Sequence, residues 1–241
     1  MNEGRWWDKA WNPVTGCTVY SAGCNNCWAR SMARRFWGPD GFKITLHPDR
    51  LHDPWHFKKP RKIFVCNMGD LFHEDVPESF IMRVMSVINN EKNHTFFILT
   101  KRIKRMAEYM TNVRSGILEL KNLWIGTSVE NQQTADERLP ILLSIPGYKK
   151  FISVEPMLWP ISLAAQWIDK ARYFETGVLD WIICGAETGP GARLMNLSWA
   201  RSLRDQCYAA GVPFFFKSAG PRIEIPDDLK IREYPEIGGK S

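Results

Sequence analysis

Thr95-Phe-Phe-Ile-Leu-Thr100 passes through Lys101-Arg102 into the helical pattern of Lys104–Thr111. Leu123-Trp-Ile-Gly-Thr-Ser128 passes likewise through Val129-Glu130-Asn131 into Gln132–Ser144. Each unit is a short apolar run, a polar break and then a segment of helical period. The rhythm extends outward in both directions. Strand-length runs are predicted at Ile63–Asn67, Lys150–Val154, Trp181–Gly185 and Val212–Lys217, with further helices at Pro77–Asn90 and Ser198–Ala210. Asn196-Leu-Ser-Trp199 has the form of a helix start, and Gly211-Val-Pro213 that of a helix stop before a strand. Strands alternating with helices run parallel through right-handed crossovers, which predicts an α/β sheet or barrel. With no linker rich in Gly or Ser, residues 1–241 read as one domain. Residues 39–60 read as an insertion or lid, and 220–241 as an irregular tail.

A chain of 241 residues with 44% hydrophobic and 24% charged residues is long enough to bury a core without disulfides. That composition excludes a disordered, collagen-like or disulfide-scaffold protein. No apolar run reaches the roughly 18 residues of a membrane helix, and the Met1–Trp7 segment lacks the form of a signal peptide. The expectation is a cytoplasmic protein. Its net charge of +6 permits a polyanionic partner. The basic runs Lys58–Lys62 and Lys101–Arg105 read by themselves as solvated faces.

The residues after each strand carry more information. Asp70, Lys101, Glu130, Glu155, Glu187 and Lys217 each follow a predicted strand by a few positions. In a parallel barrel all such ends meet on one face, which predicts a charged mouth. Gly185–Arg193 lacks the spacing of either phosphate-binding glycine loop and reads as a turn that presents Glu187 and Arg193 there.

Near the N-terminus, Cys17, Cys24 and Cys27 are spaced C-x6-C-x2-C, with Gly16 and Gly23 before the first two. In a reducing compartment such a group reads as metal chemistry. Three thiolates are one short of a closed zinc site. They suit a [4Fe–4S] cluster that leaves one iron free. Zinc with a distant fourth ligand (His47, His52, His56 or His73) is the rival reading, and unliganded structural cysteines a third. Cys66, Cys184 and Cys207 read as small buried hydrophobes.

The run W-N-P-V-T-G-C…G-C-N-N-C-W-A resembles the phage-encoded three-Cys-motif family, a radical-SAM-like group. The resemblance continues through N-M-G-D-L-F-H-E-D-V-P (67–77), L-T-K-R (99–102), S-V-E-N-Q-Q-T-A-D-E-R (128–138), S-V-E-P-M (153–157), G-A-E-T-G-P-G-A-R (185–193) and A-G-V-P-F-F-F-K (210–217). It implies a partial TIM-like (β/α) barrel of the radical SAM type, with a [4Fe–4S] cluster on Cys17, Cys24 and Cys27. The usual radical SAM spacing is C-x3-C-x2-C, from which the first gap here departs. The resemblance further implies S-adenosylmethionine beside Trp28, Met68, Gly69, Asp70, Ser128, Glu130 and Asn131. Reductive cleavage of adenosylmethionine would then act on a nucleic acid or nucleoside substrate, with Glu130, Glu155, Glu187 and Lys217 as catalytic candidates. An electron donor, and a partner protein, would complete the system. Two other functions fit the same residues. One is a nucleic-acid-binding accessory protein with a structural iron–sulfur or zinc site. The other is a metal-dependent hydrolase using the carboxylate mouth.

Overall fold

The computed structural model describes residues 4–114, 120–173 and 177–236. Strands β1 (Lys9–Trp11) and β2 (Val14–Thr15) precede the cysteine loop, α1 (Trp28–Trp37) follows it, and β3 (Thr45–Leu46) returns to pair antiparallel with β2. The chain continues through β4 (Lys62–Val65), α2 (Glu78–Asn90), β5 (Thr95–Thr100), α3 (Ile103–Arg114), β6 (Leu123–Ser128) and α4 (Gln132–Ser144). It ends with β7 (Lys149–Val154), α5 (Ala165–Ile168), α6 (Lys170–Tyr173), β8 (Trp181–Gly185), α7 (Leu197–Ala210) and β9 (Phe214–Ser218). The main sheet has seven strands in the order β1-β4-β5-β6-β7-β8-β9, every neighbouring pair parallel. The fold is therefore α/β, with its strands in barrel order. Among the described residues no helix is long and apolar enough to cross a membrane.

Ring contacts show that the sheet curls into a half-barrel. Phe97 on β5 and Trp181 on β8 have centroids 5.9 Å apart, although three strand spacings would separate them by about 14 Å in a flat sheet. Strand alternation explains what fills the curl. Phe97, Trp124, Phe151, Trp181 and Phe215 point inward and meet Trp6. Residues of the other parity, such as Phe96, Ile98, Ile125, Ile152 and Phe214, join the helix-facing core. Burying a side chain of this size contributes about 1.5–3 kcal/mol. The inner aromatic layer is thus a packed floor, and an inward residue further along each strand stands above it.

Two elements go beyond the sequence expectation. Strand β1 makes only three pairs with β4 and buries only Trp11 fully. Helix α1 buries just Ala29 and Ala33 and leaves its larger residues outside, so its apolar pattern does not mark its buried face. Residues 39–60 include β3 and a 3₁₀ stretch over Pro48–His56 that packs along β1. There Leu51 is buried and Trp11 Nε1 donates to the Arg50 carbonyl at 2.7 Å. The tail is more regular than expected, because Arg232 bridges Phe215 antiparallel and Phe216 N donates to the Ile231 carbonyl. Residues 237–241 lie outside the described residues. The helix signals read from sequence hold: Asn196 accepts from Ser198 N at 2.9 Å, and Gly211 ends α7 at φ 64°.

Candidate active site

A cavity of 580 Å³ opens above the aromatic floor at the carboxyl ends of the strands. The parity that sends Phe97, Phe151, Trp181 and Phe215 inward also sends Lys101, Ser153, Glu155, Glu187 and Lys217 inward, and all five line the cavity. Cys17, Cys24, Cys27 and Trp28 form the facing wall. These three cysteines are partly exposed, whereas Cys66, Cys184 and Cys207 are buried.

The cysteine loop is clamped to the strand ends at three places. At the first, Arg102 Nη1 donates to Cys17 Sγ at 3.4 Å and to Asp70 Oδ2 at 3.1 Å, while Nη2 reaches Thr18 Oγ1 at 2.8 Å. Asp70 also accepts from Thr100 Oγ1 at 2.7 Å and from Phe72 N at 2.9 Å. Burial, then Asp70, pushes the Cys17 thiol up to about 11 against the lowering pull of Arg102.

The second clamp is Glu130, whose carboxylate is wholly buried. It accepts from Ser21 Oγ at 2.6 Å, and Lys101 Nζ and Arg138 Nη1 each stand 3.2 Å away. Burial raises its pKa, but Lys101, Arg138 and the Ser21 hydroxyl outweigh that and hold it below the usual carboxylate value. A Cβ on Gly23 would lie 2.6 Å from Glu130 Cγ, so the loop can seat on this carboxylate only through a glycine. At Cys24, burial raises the thiol, and Lys101 with the nearby loop hydrogen bonds brings it below its ordinary value.

Glu187 forms the third clamp. It accepts from Asn26 Nδ2 at 2.9 Å and from Arg193 Nε at 2.8 Å, and Arg193 Nη2 also donates to the Ala22 carbonyl at 2.9 Å. Burial raises the Glu187 carboxyl, but the Arg193 and Asn26 hydrogen bonds bring it below normal.

Gly16 has φ 88° and lies where a Cβ would meet the Lys43 carbonyl at 2.1 Å, so only glycine fits this turn before Cys17. Cys27 is the N-cap of α1, where the positive end of the helix dipole favours nearby negative charge.

Several expected site residues sit elsewhere. Asn131 does not line the cavity: its side chain accepts from Thr134 N and caps α4. Met68 is likewise absent from the lining, and its backbone contributes instead, its carbonyl accepting from Gly16 N. Glu130 lies behind the wall as a tether. Asp70 reaches the cavity, but its oxygens are already engaged by Arg102 and Thr100. Trp28, Gly69, Ser128, Glu155 and Lys217 remain in the lining. His73, one of the distant zinc-ligand candidates, is buried with Nε2 2.9 Å from Thr18 Oγ1 and Nδ1 accepting from Asp75 N. The run Lys101–Arg105 is no solvated face. Lys101 and Arg102 serve the site, and Arg105 donates to the His73 and Val76 carbonyls.

The residues present fit a thiolate-held cluster. Three accessible thiols share one wall, with Arg102 and Lys101 nearby to offset thiolate charge. Among the described residues, no three His, Cys, Asp or Glu side chains converge as a single metal ion would require. Thiolates bound to three different irons need no such convergence. Across the cavity, Lys217 Nζ stands 2.5 Å from Glu155 Oε2, while the buried Glu155 Oε1 has no hydrogen-bond partner among the described residues. An amine or hydroxyl of a bound molecule would satisfy it. Ser153, a lining residue not singled out from sequence, shares its parity with Phe151 and Glu155 and was findable by that signal.

Residues 2–232 match the model of a family described as Protein of unknown function (DUF5131). No curated protein matches the chain. Spore photoproduct lyase structures resemble it at 12% identity. A double mutant with bound AdoMet and dinucleoside spore photoproduct gives a TM-score of 0.48 over 91% of this chain. A complex with dinucleoside spore photoproduct gives 0.45 over 82%. The chain spans 63% and 60% of those two chains.

Proposed function

The chain belongs to the DUF5131 family, and we propose that it is an iron–sulfur enzyme of the radical SAM type acting on a nucleic acid or nucleoside. The observation that carries this reading is the placement of Cys17, Cys24 and Cys27, half-exposed on one wall of a cavity at the strand carboxyl ends. A [4Fe–4S] cluster held there would supply an electron to S-adenosylmethionine at its open iron.

The protein's own part is positioning and exclusion of water. Arg102 offsets thiolate charge at Cys17. Glu130 and Glu187, read from sequence as catalytic, are positioning residues that fix the two halves of the loop. Glu155, with one oxygen free, accepts a hydrogen bond from the bound molecule, and Lys217 orients that carboxylate from 2.5 Å. Trp28 forms the rim, Trp6 and Trp7 lie at the floor, and Gly69 and Ser128 line the cavity. An electron donor is required. Against the hydrolase reading, Asp70, Glu130 and Glu187 are each ion-paired with arginine or lysine, which leaves Glu155 as the mouth carboxylate with a free oxygen.

Iron and sulfide analysis after anaerobic purification tests this. About four irons per chain, lost in Cys24→Ala, supports the reading. One zinc and no iron overturns it.

A further inference from the structure

Helix α1 starts at the cavity rim and carries an unusual outer face. Trp28, Met32 and Phe36 are spaced i, i+4, i+8 and so lie on one side. Phe36 is 64% and Trp37 53% exposed, although both are large aromatics. Arg35 borders this side, while Arg30 and Arg34 lie around the helix beside Trp37, and α1 contains no acidic residue. The sequence has no Asp or Glu at all between Asp8 and Asp40. Among the described residues, Arg34 and Arg35 pair with no carboxylate. Arg35 stands instead over the Phe36 ring at 5.7 Å, and Arg30 over the ring of Phe42, a cavity-lining residue, at 5.9 Å.

We infer that the exposed surface of α1 is a docking platform for single-stranded nucleic acid, which leads a strand into the cavity. The inference rests on the proposed function for what happens in the cavity, and narrows its substrate from a free nucleoside to a nucleotide within a strand. Arginines that pair with no carboxylate among the described residues, on a helix without acids, match a polyanion. A protein partner would have to bring its own carboxylates, and its apolar contacts would not call for three arginines. Exposed rings interleaved with arginines are how single strands are held, with bases stacked and phosphates neutralised. A duplex hides its base faces and would leave Phe36 and Trp37 unused. From Trp28 to Phe36 the helix rises about 12 Å.

Fluorescence anisotropy with labelled oligothymidylate, oligouridylate and a duplex, each over a range of salt, tests the platform. Wild-type protein binds the single strands more tightly than the duplex, and the ratio between the two homopolymers separates DNA from RNA as the source. Arg34→Glu/Arg35→Glu weakens binding at least about tenfold and flattens the salt dependence. Phe36→Ala weakens it about tenfold with the salt slope unchanged. None of these residues holds the cysteine loop, so iron content and circular dichroism stay at wild-type values. No binding by the wild type, equal binding by the charge-reversed variant, or a preference for duplex each overturns the inference. Binding by a chain that contains no iron would leave the platform standing and sink the proposed chemistry instead.

Discussion

The guanidinium of Arg102 lies 3.4 Å from the sulfur of Cys17 while the same nitrogen is 3.1 Å from Asp70. A fixed cation beside a cluster thiolate favours whichever redox state is more negative, which is the reduced one. Arg102→Gln removes that cation and leaves Asp70 without its partner. The variant is expected to have a more negative cluster midpoint potential, read by a redox titration followed by electron paramagnetic resonance. An unchanged potential in a fully loaded variant would contradict the role given to Arg102.

Glu130 and Glu187 both have carboxyls held below their ordinary values by cations and hydrogen bonds, against the upward effect of burial. Their folded pKa values therefore lie below the unfolded ones. The stability they contribute is complete above the ordinary carboxylate range and is lost as pH falls through the folded values. Wild-type Tm is expected to drop steeply in that acid window, and Glu130→Gln to be less stable at neutral pH with a shallower acid decline. Glu130→Ala, which strands Arg138 and Lys101, should cost about 3–5 kcal/mol. Thermal melts across pH check both.

Gly23 sits where an added methyl would press on Glu130 at 2.6 Å, and that carboxylate is held by three donors and cannot swing away. Gly23→Ala is expected to displace the loop without unfolding the barrel. Iron retention should fall several-fold while the near-ultraviolet circular dichroism of the inner tryptophans is preserved. Full iron retention would mean that the loop does not depend on this contact.

Much of this was legible in the sequence, through the parity of the strands. The apolar runs marked six of the seven sheet strands, and counting by twos from Phe97, Phe151, Trp181 and Phe215 reaches Lys101, Glu155, Glu187 and Lys217 in the cavity. The seventh strand, Lys9–Trp11, escaped because three residues with one buried side chain carry no pattern. Helix α1 escaped because alanines face its core and aromatics face out. Strand ends alone do not say which carboxylates are free. Glu130 and Asp70 are spent on Arg138, Lys101 and Arg102, partners between 8 and 32 positions away in the chain. The family resemblance puts Asn131 beside adenosylmethionine, but the helix after it needs a cap and takes that side chain.

The six cysteines divide cleanly by exposure, three half-exposed in the loop and three buried in the core. In the metal-free native chain, alkylation is expected to modify Cys17, Cys24 and Cys27 and spare Cys66, Cys184 and Cys207. Reconstitution with iron and sulfide should protect all three loop thiols together. Peptide mass spectrometry reads the pattern, and protection of only one or two would contradict a shared cluster.

In the proposed function the loop holds a cluster with one iron open to a small molecule beside Glu155 and Lys217. The decisive measurement is a titration of the anaerobically reduced protein with S-adenosylmethionine under electron paramagnetic resonance. The cluster signal is expected to shift on addition, with a weaker response in Glu155→Gln. A cluster signal indifferent to adenosylmethionine, or a chain carrying zinc and no cluster signal, would contradict it.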